Sequence, residues 1–327
     1  MHLKVAFMSN PRLQPFVDGT IQLDGIELDW MFGHPASLHL RHLLENAFDI
    51  FEFSLSGYIV VRDRPNMARL GWTAIPVFLS KAFLPLELCV NKHAGIHSWA
   101  NLAGKRVGLP DYNMTAAIWM RIMLMQLYGI QPSDITWFNG RKAVERHSTV
   151  IGFHTSPPGV TVHEPGDDAA LNDLLEHGDI DAAFGDWAAV PINEGPNVRR
   201  LLNTEQGAQL ITDFMQKTGT TPINHCVVMH ERLLIEQPQL ALALYKALEA
   251  AKQESYRRAR REAEAYLLFP DADFAHQAAT FGSDPYPFGL AANRRMLELL
   301  VGQLASEEQV ERRESAEYLF AETTYNT

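Results

Sequence analysis

From its N-terminus onward the chain alternates element types, and that alternation limits its folds more than any other feature. Short β-rich runs, KVAFMS, IELDWMF, FDIFEFS, TAIPVFLS and LELCVN, are separated by helical stretches such as ASLHLRHLLEN and LSGYIVVRD. This pattern predicts an α/β sheet with helices on its faces. A second series repeats it: KRVGLP reads as a strand, Thr115 to Tyr128 as a helix stopped by Gly129, DITWF as a strand, DDAALNDLLEHG as a helix and IDAAFGD as a strand. After PINHCVVMH, a further strand, the composition shifts to Ala, Leu, Glu and Lys. Pro238 opens a helical stretch to about Leu268, and a last helix is expected over Leu290 to Leu304. Residues 1–91 and 222–327 are expected to form one lobe, and 92–221 a second lobe inserted into it. Ligands of such folds sit between the units, at carboxyl ends of strands.

The chain's 327 residues, 46% hydrophobic and 20% charged, suffice for two cores without disulfide staples. A formal charge of -11 opposes non-specific binding to nucleic acid. The basic run YRRARRE lies in an Ala- and Glu-rich helical segment and reads as a solvated helix face. Cys89 and Cys226 each sit in an apolar run, which suits buried free thiols in a reducing compartment. The start, MHLKVAFMSNPRL, has no secretory h-region, and no run reaches a membrane span, so a cytoplasmic protein is expected.

Several short stretches carry candidate chemistry. In PDYNMTAAIWMR the strand ends near Pro110, which puts Asn113, Met114 and Thr115 at a helix entrance. Unpaired N–H groups there favour a carboxylate or phosphate, while Asn113 or Thr115 equally suits the cap of a buried helix. In FDIFEFSLSGY, Ser54 and Ser56 follow a strand and either bind a ligand or cap the next helix. Glu52, flanked by Phe51 and Phe53, is a candidate acid if it is buried. His225 lies in an apolar strand near the expected crossing between lobes, as a hydrogen-bonded core residue or a proton donor. His147, His154, His163 and His230 show no metal spacing, and no structural zinc is expected. In GSDPYPFGLAANRR, Tyr286 and Phe288 form either a rigid turn or an aromatic wall on the cleft.

Taken together, DIFEFSLSGY, AIPVF, LAGKRVGLPDYNMTAAIWMR, ITWF, NVRRL, PINHCVVMHERL and DPYPFGLAANR resemble the 4,5-dihydroxyphthalate decarboxylase family, across most of the chain. The resemblance implies a two-lobed, periplasmic-binding-protein-like type II α/β fold with crossing interlobe strands and C-terminal helices. It also implies non-oxidative loss of carbon dioxide from a hydroxylated aromatic acid in the cleft. Such chemistry needs no organic cofactor; a divalent metal is left open, as is a homo-oligomer. Neither nucleic acid nor membrane is expected as a partner.

Within that frame, location and residue type assign Arg12 and the Asn113–Met114–Thr115 entrance to a carboxylate, Ser54 and Ser56 to ring substituents, and His225 or Glu52 to proton donation. Two positions depart from the family pattern. In LSKAFLPLEL, Lys81 stands alone, with Leu84 and Pro85 after it, where an Arg and a His are expected. In AAFGDW, Asp186 and Trp187 replace a basic or small polar residue, and Asp186 would repel a second carboxylate. The competing reading is a non-catalytic solute-binding protein using the same cleft. A pyrimidine- or thiamine-pathway relative of that fold is less well supported, because no His- or Cys-rich motif is present.

Overall fold

The computed structural model describes residues 1–80, 83–164, 166, 170–186, 190–311 and 315–327. In chain order the strands are β1 (His2–Phe7), β2 (Glu27–Phe32), β3 (Ile50–Ser54), β4 (Trp72–Ser80), β5 (Cys89–Asn91), β6 (Arg106–Leu109), β7 (Thr136–Asn139), β8 (Thr161–His163), β9 (Ala182–Ala183), β10 (Val198–Arg200) and β11 (His225–His230). They form two sheets, ordered β2-β1-β3-β11-β4 and β10-β5-β9-β6-β7-β8. In the first, β1 runs parallel to β2 and β3, while β11 is antiparallel to β3 and β4. In the second, β6, β7, β8 and β9 are parallel and β5 is antiparallel to its neighbours.

Strand β4 is an apolar run buried from Trp72 to Leu79, as suits a strand covered on both faces. One of its edges pairs with β11; the other meets the C-terminal segment, through an Ala74–Phe320 bridge and an Ala321 N–H that donates to Ala74 O at 2.8 Å. The chain then passes to the second sheet between Ser80 and Cys89, because β5 pairs with β9 and β10 there. The crossing therefore precedes the boundary expected after Asn91.

The helix Thr115–Tyr128 is buried at every residue from Thr115 to Leu124, which explains a sequence apolar on nearly every side. Gly129 ends it in the left-handed region, at φ 71°, where a Cβ would be strained. Trp119 in this helix donates its indole N–H to Ile223 O at 2.8 Å. One core cluster joins Phe53, Tyr58 and Trp72 to Trp119 and Trp137, so both lobes share it. A second packs Val5, Ile75 and Val227 against Leu244 and Leu248 of the helix Leu240–Tyr266, on the other side of the first sheet. Each such side chain contributes about 1.5–3 kcal/mol when fully buried.

A buried ion pair also binds the second lobe to the C-terminal helix Leu290–Ser306. Arg121 Nε donates to Glu307 Oε1 at 2.7 Å and its Nη2 to Oε2 at 2.8 Å, while Nη1 donates to Tyr112 O at 2.7 Å. Gln303 Nε2 donates to the same carboxylate at 2.7 Å. The charges are thus fully engaged, as burial requires.

Candidate functional site

Period-two alternation in β3 sends Phe51 and Phe53 into the shared core and turns Glu52 to the opposite face. There the carboxylate, 3% exposed, accepts Met8 N–H on Oε2 at 3.0 Å and contacts His225 Nδ1 through Oε1 at 2.8 Å. The antiparallel register of β3 and β11 makes this possible, since it sets His225 opposite Ser54, two residues along the strand from Glu52. Both carboxylate oxygens are therefore satisfied, and Glu52 fixes which ring nitrogen of His225 is engaged.

His225 lines a cavity of about 160 Å³ whose wall includes Ser54, Ser80, Met114, Thr115, Arg141 and Asp186. Both sheets contribute to it: β3, β4 and β11 from the first, and the segments after β6, β7 and β9 from the second. Three further histidines, His34, His39 and His147, share this wall. The His39 ring meets those of His225 and His147 edge-on, at centroid distances of 5.1 and 5.5 Å. Burial pushes His39 well below the ordinary histidine range and His147 down to about 4, and it lowers His34 as well. Burial thus favours the uncharged ring at both His39 and His147. His39 Nε2 and both ring nitrogens of His147 are buried without a protein hydrogen-bond partner. They are available to a bound polar group.

The entrance of the helix Thr115–Tyr128 forms the opposite part of the wall. Met114 occupies its cap position and makes no side-chain cap bond to the first N–H groups, which include those of Thr115 and Ala116 at the cavity. The Thr115 hydroxyl knots this entrance to that of the helix Leu55–Asp63. It accepts Ser56 N–H at 3.1 Å and lies 3.0 Å from Ser54 Oγ and 2.9 Å from Ser56 Oγ. Ser54 also caps its own helix by accepting Gly57 N–H at 3.3 Å.

Arg141 is the only Lys or Arg among the described lining residues. Its Nη2 donates to Asp186 Oδ2, and Asp186 Oδ1 lies 3.8 Å from His34 Nε2. All three groups are largely buried.

Glu52, Ser54, Met114, Thr115, Asp186 and His225, singled out from sequence, are therefore brought together here. Others are not. Ser56 is wholly buried in the hydroxyl knot and does not line the cavity. Asn113 turns to the loop beyond, donating to His154 O at 3.1 Å. Arg12 is not on this wall: it donates to Leu79 O and stacks its guanidinium 3.7 Å above the Tyr286 ring. Tyr286 borders a separate, smaller hollow with Phe83, Thr221 and Phe281. Its loop is pinned from below by the buried Lys252, which donates to Asp284 Oδ2 at 2.6 Å and to Tyr286 O at 2.9 Å. Arg12 and Tyr286, expected to serve the substrate, are thus placed beside each other and away from the residues that line the Thr115 cavity. Lys81 and Trp187 lie outside the described residues.

Sequence reasoning passed over Arg141, His34 and His39, and read His147 only as a loop residue without metal spacing. A positional signal existed for Arg141: it follows Gly140 directly after parallel strand β7, at a carboxyl end. Among the described residues, no group of three or more His, Cys, Asp or Glu is placed to hold a metal ion. Nor, among them, is any helix long and apolar enough to cross a membrane.

Comparison with known proteins adds to this geometry. The chain is 29% identical over 301 residues to the 4,5-dihydroxyphthalate decarboxylase of Comamonas testosteroni, covering 91% of this chain and 89% of that protein. It is 32% identical over 209 residues to the 4,5-dihydroxyphthalate decarboxylase of Pseudomonas putida, covering 64% of this chain and 80% of the relative. Among solved structures, the periplasmic aliphatic sulphonate binding protein SsuA of Escherichia coli superposes with a TM-score of 0.55 at 12% identity, covering 100% of this chain and 99% of that one. A putative periplasmic sulfonate-binding protein of Methylobacillus flagellatus KT gives 0.54 at 12% identity, covering 98% and 91%. These likenesses show the fold alone: two α/β lobes of the periplasmic-binding-protein-like type II kind. No protein-family profile matches the chain.

Proposed function

The chain belongs to the 4,5-dihydroxyphthalate decarboxylase family, and on that premise we propose that it removes carbon dioxide from a hydroxylated aromatic acid held in the cavity between its lobes. It is a carboxy-lyase. The observation that carries the site assignment is the His225–Glu52 pair, at 2.8 Å, whose histidine lines a cavity that also holds an uncapped helix entrance.

The reaction replaces a ring carboxylate by hydrogen. A proton is added to the ring carbon bearing the carboxylate, the carbon–carbon bond breaks, its electron pair returns to the ring, and carbon dioxide leaves. Ring hydroxyls supply the electron density that takes up the proton, so we assign the step no organic cofactor. Glu52 engages Nδ1 of His225, which leaves Nε2 to carry the proton to the ring. Free N–H groups of Thr115 and Ala116 hold the carboxylate, helped by the helix dipole. The uncharged His39 and His147 exchange hydrogen bonds with ring hydroxyls at their unpartnered nitrogens. Positioned acids give about 10²–10⁴-fold, so orientation and electrostatics supply the remainder. A cytoplasmic setting fits the two buried, unpaired cysteines.

The test is turnover of a panel of hydroxylated benzoates and phthalates, followed by carbon dioxide release and product identity. At least one acid should lose carbon dioxide stoichiometrically. Tight binding across the panel without turnover would replace this reading with that of a solute-binding protein.

A further inference from the structure

Far from the cavity, the chain forms a helical arm that its own body does not cover. Beyond Ser255 no described residue of the helix Leu240–Tyr266 is buried, and none is buried in the helix Pro270–Phe281 that turns back beside it, where Arg260 stacks 4.8 Å above the Phe274 ring. A twelve-residue helix with no buried face is marginal in water. The turn at the tip is apolar in four consecutive residues, Tyr266 to Phe269, with Leu268 89% and Phe269 75% exposed. Charge is sorted along the arm. Arg257, Arg258, Arg260 and Arg261 crowd its base, where Glu254 alone pairs with three of them, while the exposed Glu262, Glu264, Asp271 and Asp273 lie toward the tip. At the base, Tyr256 Oη donates to Asp284 Oδ1 at 2.9 Å, and Asp284 adjoins the hollow of about 90 Å³ that Phe83, Phe281, Pro285 and Tyr286 line.

We propose that this arm binds the same arm of a second copy of the chain, with the two Leu240–Tyr266 helices antiparallel about a two-fold axis near Glu262. Such a surface is self-complementary: the basic base of each arm meets the acidic tip of the other, along both seams. The same axis sets Leu268 of one copy against Tyr256 of the other, so each apolar tip seats at the other copy's hollow. The four arginines and four acids of the arm cancel, which gives it no net attraction to an anionic lipid surface. The basic run YRRARRE is thus half of a pairing rather than only a solvated face.

Sedimentation velocity of the full chain at micromolar concentration tests the proposal. The parent should sediment as an assembly of at least two copies. Arg260→Glu with Arg261→Glu turns the centre of the seam acidic, and Glu262→Arg with Glu264→Arg turns it basic; each pair should lower the assembly's mass by about half at the same concentration. These positions are exposed, and circular dichroism checks that the helices persist. An equimolar mixture of the two variants restores opposite charges on both seams and should recover the parent's mass. Leu268→Asp with Phe269→Ser should halve the mass through the tip alone. A monomeric parent, variants that assemble as the parent does, or a mixture that assembles no better than its components overturns the proposal.

Discussion

Replacing Glu52 with Gln alters almost no volume, yet it should slow decarboxylation by about 10²–10⁴-fold, or about 2.7–5.5 kcal/mol of barrier. The reason is a mismatch of donors and acceptors. Glu52 meets Met8 N–H with one oxygen at 3.0 Å and His225 Nδ1 with the other at 2.8 Å. Glutamine offers one acceptor oxygen and one NH₂. If its oxygen stays on Met8, the NH₂ faces Nδ1, which must then be bare; the ring is held as the neutral Nε2–H form. If the amide turns round, two N–H groups confront each other at Met8, and an unsatisfied buried donor costs about 1–3 kcal/mol. Either arrangement opposes the protonated ring. His225→Asn should lose a comparable factor, and the double variant should be no slower than the slower single, because the pair acts as one unit. Single-turnover carbon dioxide release at saturating acid, with affinity measured separately, reads this directly. Losses that multiply in the double variant, or a Glu52→Gln rate close to the parent's, would refute the coupling.

Two stability predictions accompany it. Arg121→Met should destabilise the fold by about 3–5 kcal/mol by stranding Glu307, whereas Arg121→Met with Glu307→Leu should lose much less; urea unfolding compares them. Burial holds His42 down at about 3, against an ordinary value of 6.5, among Phe48, Phe51 and Trp72. The unfolded chain therefore takes up this proton first, so the stability His42 confers is complete above pH 6.5 and declines as pH falls toward 3. At pH 5 the decline is about 2 kcal/mol, and in denaturant titrations at two pH values His42→Phe should remove about that much of the pH dependence.

Much of the architecture could be read from residue patterns. Alternating runs marked β1, β3, β4 and β6, and Gly129 marked the end of the long buried helix, because periodicity and φ preference are local properties. The sheet to which β5 belongs was not legible, since three residues carry no record of distant partners such as Ala183 and Arg200. The site divided along the same line. Glu52, His225 and Thr115 stand in regular elements whose ends converge, and they drew notice as candidates. Arg141, His34 and His39 enter the wall from a loop, a helix start and a helix interior, where nothing in their spacing tells a site residue from a surface one. The place of Arg12 was hidden for a related reason: a basic residue after a strand end looks the same whether it borders a cavity or stacks on an aromatic ring.

Strand β4 carries a consequence for how the protein is made. Among the described residues β11 alone is its ladder neighbour, and its other edge waits for Phe320 and Ala321 near the C-terminus. A ribosome completes β4 early and then synthesises the whole second lobe before either partner exists. For that interval an apolar strand has both edges open, the condition that invites association between nascent chains. Loop closure across so long an insertion adds its entropy to the search, so the first lobe closes slowly and late. Expression yield should accordingly depend more on temperature and chaperone supply than the finished fold's stability would suggest.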